Sequence, residues 1–303
     1  MALSIHTNYS ALTTNTALNK SNNALATNQQ RLGTGLRINS AADDAAGLQI
    51  ATRLNAQSRG MGVAMRNTGD ATSLLQTAEG AFNEMTDIVQ RMKDLATQGA
   101  NDTNSGADLI SLQNEYDELG TELSNIVKNT RYAGQTLFSN GTTVDGTLGK
   151  FSGDVTFQIG ASQAETMVFS GAAALTSVAT ALTAAADTYA TSGTAGNEIA
   201  STQVAATATN ATAGATIALL DTALNTLGSM RAEFGASINR LNHVNNNLAN
   251  MKDNTDMAKG RIMDADFAIE SANMSKNSML MQSGISMLKQ AGQMPGMVMG
   301  LLG

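Results

Sequence analysis

Several residue types are scarce in this chain of 303 residues, and each scarcity excludes a class of protein. There is no cysteine, which excludes a disulfide framework, a zinc–thiolate site and a thiol nucleophile. A single proline leaves long helices uninterrupted. Only 4% of residues are aromatic and none is tryptophan, so a core has to be built mainly from Leu, Ile, Ala and Met. The net charge of −7 argues against nucleic-acid binding.

Signals for catalysis, metals and membranes are also sparse. His6 and His243 lie far apart in sequence, and the pairs Asp43-Asp44 and Asp264-x-Asp266 are typical of helix starts. We therefore predict no enzyme activity, no cofactor and no metal site. No apolar run reaches the roughly eighteen residues of a membrane span, and residues 1–19 lack the basic and apolar parts of a signal peptide.

A seven-residue apolar period organises the C-terminal half of the chain. Six of seven positions are apolar in the series Leu220, Leu227, Phe234, Leu241, Leu248, Thr255 and Ile262. This period predicts a long coiled-coil helix, and such a helix needs a partner of similar length to cover its stripe. Gly228 and Gly235 also lie seven apart, and we hypothesise that they allow another helix to approach closely.

Partner helices are predicted elsewhere in the chain. Leu18, Leu25 and Leu32 mark a first helix that ends near Gly33 to Gly35, followed by a helix start capped by Ser40 or Asp43. A second helix carries an apolar stripe from Leu74 to Leu95, and a third runs from Leu109 to Ile126. The last segment has Met274, Met281 and Leu288 seven apart, with Ile285 beside them.

The middle of the chain changes character. Alternation around Val155, Phe157 and Ile159, and again at Met167 and Phe169, predicts a β-hairpin at about 154–170. Residues 172–216 are mostly Ala, Thr, Ser and Gly, with a short helix near Leu175–Tyr189. The predicted fold is mainly α, a long antiparallel coiled-coil or helical bundle that pairs the N- and C-terminal segments. We expect a terminal coiled-coil domain (1–43 with 260–303), a helical bundle domain (44–171 with 217–259) and a short variable insert (172–216).

The two ends of the chain carry only thin apolar stripes. In residues 1–40 and 263–303 each stripe is wide enough to be covered by only one partner helix. The conformational entropy lost on ordering these segments then exceeds the free energy gained by burying their apolar side chains. We therefore expect both ends to be loose in a monomer and to become ordered when many copies stack, as in an assembly protein.

Four sequence segments resemble those of bacterial flagellins, the subunits of the flagellar filament. They are residues 30–47 (QRLGTGLRINSAADDAAG), 75–84 (LQTAEGAFNE), 261–275 (RIMDADFAIESANMS) and 294–303 (MPGMVMGLLG). The resemblance covers roughly residues 1–170 and 217–303, so the chain looks like a short flagellin with a reduced central region. The resemblance implies terminal helices in concentric tubes, an open helical homopolymer that serves motility, and a secreted, extracellular location in the filament.

The resemblance also implies partners. Flagellins are exported unfolded by the flagellar type III apparatus, are held beforehand by a chaperone on the C-terminal segment, here about 263–303, and meet filament cap and hook-junction proteins. A host toll-like receptor recognises members of the family, and the matching positions here are Arg91, Leu95 and Glu115. From periodicity alone, Arg91 and Glu115 are solvated charges and Leu95 is a core residue. The residues of the polymer seam are Leu18, Leu25, Leu32, Leu220, Leu227, Phe234, Leu241, Leu248, Ile262, Met281 and Leu288.

Two other functions stay open at this level. A hook–filament junction adapter shares the terminal seams, although the resemblance associates such proteins with proline beside the Asp-Asp motif, where this chain has alanine. A secreted helical translocator that acts at membranes is less well supported, because no apolar run is long enough to insert.

Overall fold

The computed structural model describes residues 8–191 and 195–302, and their side chains as far as residue 293. His6 and the side chains of residues 294–303 lie outside the described residues. The chain divides into two compact units: Met1–Arg59 with Lys252–Gly303, here called the terminal unit, and Gly60–Met251, here called the central unit. The described part is mainly helical, with two small antiparallel hairpins, which confirms the predicted fold class.

The terminal unit is built on a pair of helices from the two ends of the chain. Helix α1 (Tyr9–Thr34) packs along helix α7 (Phe267–Leu302). Asn8 caps the start of α1 by accepting a hydrogen bond from the Ala11 backbone N–H. Gly35 ends the helix in the left-handed conformation, at φ 72°, and donates its N–H to the Arg31 carbonyl. The predicted end of the first helix is confirmed.

The start of helix α2 (Ala45–Gly99) differs from the sequence prediction. The cap is Asp44, whose Oδ1 accepts the Gly47 N–H at 2.8 Å, so the assignment of Ser40 or Asp43 was wrong. Asp43 instead closes the preceding turn, since its Oδ2 accepts from the backbone N–H groups of Asn39 and Ser40. These backbone hydrogen bonds lower the pKa of Asp43 below its usual value, and the hydrogen bond from Ser40 has the larger effect. Neighbouring cap-forming residues compete for the same role, and the geometry of the turn decides between them.

The core of the central unit lies between three helices. Helices α2, α3 (Gly106–Asn129) and α6 (Ala213–Met263) contribute most of its buried side chains. On α6, every seventh position from Leu220 to Leu248 is buried, as predicted for a long coiled-coil helix. Phe234 occupies the middle of this stripe and contacts the rings of Phe82, Phe151 and Phe169 at centroid distances of 5.5, 5.6 and 5.2 Å. Five of the seven phenylalanines of the chain therefore form one ring cluster, which also includes Phe138.

Two hairpins follow α3. Strands β3 (Val155–Gln158) and β4 (Thr166–Phe169) pair antiparallel with Val155 opposite Phe169, which confirms the predicted hairpin. Strands β1 (Arg131–Tyr132) and β2 (Gln135–Thr136) form a second hairpin that the sequence patterns did not predict. Its two-residue strands are too short to show alternation. In the sequence, only the pair Ala133-Gly134 marks the turn. In the structure, both residues adopt positive φ, as a two-residue hairpin turn requires.

The insert packs into the central unit. Helices α4 (Ala172–Ala185) and α5 (Asp187–Ala190) occupy the place of the predicted short helix. Leu175, Val178 and Leu182 join the core, and the Tyr189 hydroxyl donates to the Val144 carbonyl at 2.9 Å. Although the segment is rich in Ala and Thr, its helices therefore contribute large side chains to the core.

Candidate assembly surface

The terminal helix pair buries few of its apolar side chains. The seam residues Leu18, Leu25, Leu32, Met281 and Leu288 are only partly buried, and so is Ile262 near the end of α6. By contrast, the seam positions of α6 in the central unit are fully buried. The sequence-predicted seam therefore contains two classes of residue, one covered within the chain and one that retains exposed area.

Large apolar residues are exposed on the same two helices. Phe267 is 69% exposed and Met279 is 71% exposed. We call the following set the terminal apolar residues: Tyr9, Leu12, Phe267, Ile269, Met279, Leu280, Ile285 and Met287. Exposed apolar residues concentrated on two neighbouring helices are typical of a surface that binds another protein.

Polar contacts hold the terminal unit together. Arg31 Nη1 and Glu270 Oε1 form a salt bridge of 3.0 Å, and Glu270 is buried. Beyond the helix pair, the Arg37 N–H donates to the Met263 carbonyl at 2.6 Å and the Ala265 N–H to the Gly35 carbonyl at 2.9 Å. These hydrogen bonds join the two chain segments at the point where α1 and α6 end.

The paired aspartates act as structural groups. Asp266 caps α7 by accepting the N–H groups of Ala268 and Ile269. On α6, Asp256 accepts a hydrogen bond from Lys252 at 2.9 Å. This hydrogen bond is the largest cause that lowers the pKa of Asp256 to about 2, and a hydrogen bond with Ser58 is the next largest. Among residues 8–191 and 195–302, no three His, Asp or Glu side chains are grouped in a way that holds a metal ion.

The three candidate receptor residues fall into two environments. Arg91 and Glu115 are exposed and form a salt bridge of 2.6 Å between α2 and α3. Leu95 is 1% exposed and belongs to the core cluster of the central unit. The exposed pair is therefore accessible to a partner in this structure, whereas Leu95 packs into the core and is not accessible.

A buried polar network was not found from the sequence. The Gln113 side chain on α3 is fully buried, and its Oε1 accepts the N–H groups of Ile199 and Ala200 at 2.7 and 3.1 Å. Its Nε2 donates to Asp117 at 2.8 Å and to Glu198 at 2.7 Å. Burial is the main cause that raises the pKa of both carboxyl groups. This network attaches residues 198–200 of the insert to α3.

Gly228 and Gly235 do not meet a neighbouring helix of their own chain. A Cβ atom built on either glycine has no contacting heavy atom within 4 Å. The hypothesis that they allow close helix approach is therefore wrong for contacts within the described chain. Both glycines lie on the partly or fully exposed side of α6.

Long helices, paired chain ends and exposed apolar residues are together typical of structural proteins that associate through helices. The family model described as bacterial flagellin N-terminal helical region matches residues 5–143, and that described as bacterial flagellin C-terminal helical region matches residues 217–302. Flagellin A of Vibrio anguillarum is 34% identical over 388 aligned residues, covering all of both chains. Flagellin D of Vibrio cholerae is 35% identical over 377 aligned residues, also covering all of both chains.

The chain belongs to the bacterial flagellin family, and as a flagellin it is a structural protein of the flagellar filament. A solved structure of a putative flagellar hook-associated protein from Vibrio parahaemolyticus shares the fold, with a TM-score of 0.56 over 73% of this chain and 100% of that one. At 13% sequence identity, this similarity concerns the fold alone. Within the described residues, no helix is both long enough and apolar enough to span a bilayer.

Proposed function

We propose that this chain polymerises into the flagellar filament by burying its terminal apolar residues against other copies of itself. The observation that carries the proposal is the exposure of those residues on α1 and α7, whereas the core of the central unit is closed. Burying one large apolar side chain contributes about 1.5–3 kcal/mol. Several such side chains per copy supply enough free energy to order two helices that are only partly covered within the chain.

In this proposal the domains differ in role. Residues 1–43 with 260–303 form the terminal coiled-coil domain, which is loose in the monomer and ordered in the inner tube of the filament. Residues 44–171 with 217–259 form the surrounding helical bundle, and residues 172–216 are the reduced variable insert. Contacts between copies are heterologous, so that addition continues without closure.

The route to the filament is part of the same proposal. The chain leaves the cell unfolded through the flagellar type III apparatus, with a chaperone on about 263–303 before export, and is added under the filament cap beyond the hook-junction proteins. A chain without cysteine is compatible with this route, because it needs no reduction of disulfides before passage. Coexpression of the candidate chaperone with full-length chain and with a variant truncated at 262 tests the assignment: only full-length chain should bind.

Seeded elongation tests the assembly proposal with two matched substitutions. Ile269→Gln removes a terminal apolar residue that is 59% exposed, and Val204→Gln removes a residue of the insert that is 58% exposed. Because neither side chain is buried within the chain, both variants should unfold at nearly the wild-type urea concentration. Ile269→Gln should raise the critical concentration for elongation by roughly tenfold or more.

Negative-stain microscopy of the seeded samples supplies the readout. Long filaments are expected from wild type and from Val204→Gln, and fewer and shorter ones from Ile269→Gln. If wild type never elongates a seed, the chain acts as a hook–filament junction adapter instead. If the two variants elongate equally well, the terminal apolar residues do not form the contact between copies.

We also propose that a toll-like receptor of a host contacts the central unit at Arg91 and Glu115. The support is the resemblance together with the exposure of this ion pair. A receptor-reporter assay with Arg91→Ala should show a weaker response than wild type at equal protein concentration. The charge-preserving Arg91→Lys is the matched control, and equal responses from wild type and Arg91→Ala would rule out this contact.

A further inference from the structure

The apolar stripes of α1 and α7 do not define a single register. Both stripes repeat every seven residues, through Leu18, Leu25 and Leu32 on one helix and Met274, Met281 and Leu288 on the other. If one helix slides by seven residues, the stripe again faces apolar side chains. A repeat of this kind stabilises pairing but allows several registers, unless another feature distinguishes them.

A polar cluster lies at one level of this helix pair. Arg31 bonds to Glu270 Oε1 at 3.0 Å. The Asn28 amide is oriented with its nitrogen toward Glu270, because both of its ends are then hydrogen-bonded. In this orientation the nitrogen donates to Glu270 Oε2 at 3.1 Å, and the oxygen accepts from Asn277 Nδ2 at 3.0 Å. Asn28 and Glu270 are both buried, each at 7% exposure. We call Asn28, Arg31, Glu270 and Asn277 the register cluster.

Two further contacts agree with the same antiparallel register. A Cβ atom placed on Gly284 would lie 2.9 Å from Leu18 Cδ1, so this leucine packs over the glycine. Asn8 Nδ2 donates to the Ala291 carbonyl at 2.7 Å, nearer the ends of the pair. A slide of seven residues would place Ala291 or Asn277 at the level of Leu18. The same slide would separate the buried Glu270 carboxylate from its donors.

We propose that the register cluster selects one register of the α1–α7 pair. A carboxylate that is buried without its donors loses charge-assisted hydrogen bonds and retains its desolvation cost, so every slipped register is disfavoured. A buried polar group in a coiled-coil seam specifies register in this way while contributing little to net stability. The Arg31 Nε is buried without a partner, which is consistent with a cluster that favours specificity over stability.

Disulfide trapping measures the register directly, because the chain has no cysteine of its own. Leu18→Cys with Gly284→Cys reports the observed register, and Leu18→Cys with Ala291→Cys reports a slide of seven residues. Each double variant is assembled on a seed, and the polymer is then equilibrated in a glutathione redox buffer, because α1 and α7 are expected to be loose in the dilute subunit. The intramolecular cross-link is then quantified on a non-reducing gel, where it migrates as monomer. In the otherwise wild-type chain, the observed-register cross-link should exceed the slipped one by roughly tenfold or more.

The triple substitution Asn28→Leu, Arg31→Leu and Glu270→Leu should make the two cross-links comparable, because the apolar stripe still pairs the helices. Asn22→Leu, Gln30→Leu and Asn273→Leu change three exposed residues on the same helices and should leave the preference intact.

Three results would overturn the proposal: comparable cross-links in the wild-type background, an unchanged preference in the register-cluster variant, or loss of both cross-links in that variant. The proposal concerns the ordered pair of helices and therefore rests on the proposed function. Failure of the wild-type chain to elongate a seed contradicts the proposed function, whereas an assembled polymer without a register preference contradicts the register cluster alone.

Discussion

Replacing Gln113 with leucine should strongly destabilise the central unit. The side chain is fully buried and makes four hydrogen bonds, two from backbone N–H groups and two to carboxylates. Leucine has a similar size but leaves the N–H groups of Ile199 and Ala200 without an acceptor. Each unsatisfied buried group costs about 1–3 kcal/mol, and apolar burial by leucine offsets part of that cost. The expected net loss is about 3–5 kcal/mol of unfolding free energy.

Two measurements check this prediction. Urea unfolding of Gln113→Leu should show a lower midpoint than Asn114→Leu, in which the exposed neighbour on the same helix is replaced. Hydrogen exchange should show that the amides of Ile199 and Ala200 lose protection before the core of α6 does. If Gln113→Leu unfolds at the midpoint of the control and both amides stay protected, the network does not attach the insert, and the reasoning is refuted.

Individual residues support three further predictions. Gly228→Ala with Gly235→Ala should stabilise the soluble chain by about 1 kcal/mol per site, because the added methyl groups meet no neighbour; slower seeded elongation would place these glycines at a contact between copies, and unchanged elongation would exclude it. Asp44→Ala should cost about 1 kcal/mol and speed hydrogen exchange in the first turn of α2; unchanged exchange would contradict the cap assignment. NMR titration of Asp256 should give a pKa of about 2 rather than 3.8, because its hydrogen bond to Lys252 lowers the pKa in the folded chain. This bond stabilises the folded chain fully above the unfolded-state pKa, and the stabilisation is lost as pH falls through the folded-state pKa. A measured pKa of 3.8 would contradict the ion pair.

The long helices were predictable because their apolar periods are local. The seven-residue series from Leu220 to Leu248 and the stripe of α3 both appear in the sequence without knowledge of their partners. The hairpin at 155–169 was predictable for the same reason, since alternation is also a local pattern.

The features that escaped prediction depend on contacts between distant residues. Gln113 lies four residues after Leu109 and three before Tyr116, so its place on the buried face of α3 was visible. Its partner Glu198 is 85 residues away, and no periodicity connects the two. The Arg31–Glu270 bridge spans 239 residues and was missed for the same reason. Local patterns therefore identified the elements, whereas the polar contacts that fix their arrangement required the structure.

The assembly seam was predicted as one set of residues, and the structure separates it into two. Leu227 and Phe234 are buried within the central unit, where they stabilise the subunit itself. Leu18 and Met281 are only partly buried, on helices whose terminal apolar residues are exposed. The seven-residue period is the same in both groups. They differ in how much of each side chain the rest of the chain covers, which the period does not reveal.

Hydrogen exchange of residues 1–40 and 263–303, compared between dilute subunits and seeded polymer, tests the central claim most directly. We expect rapid exchange of these backbone amides in the isolated subunit and strong protection once copies have assembled. Strong protection already present in the dilute subunit, with no further change on a seed, would show that the two ends do not depend on neighbouring copies for their order.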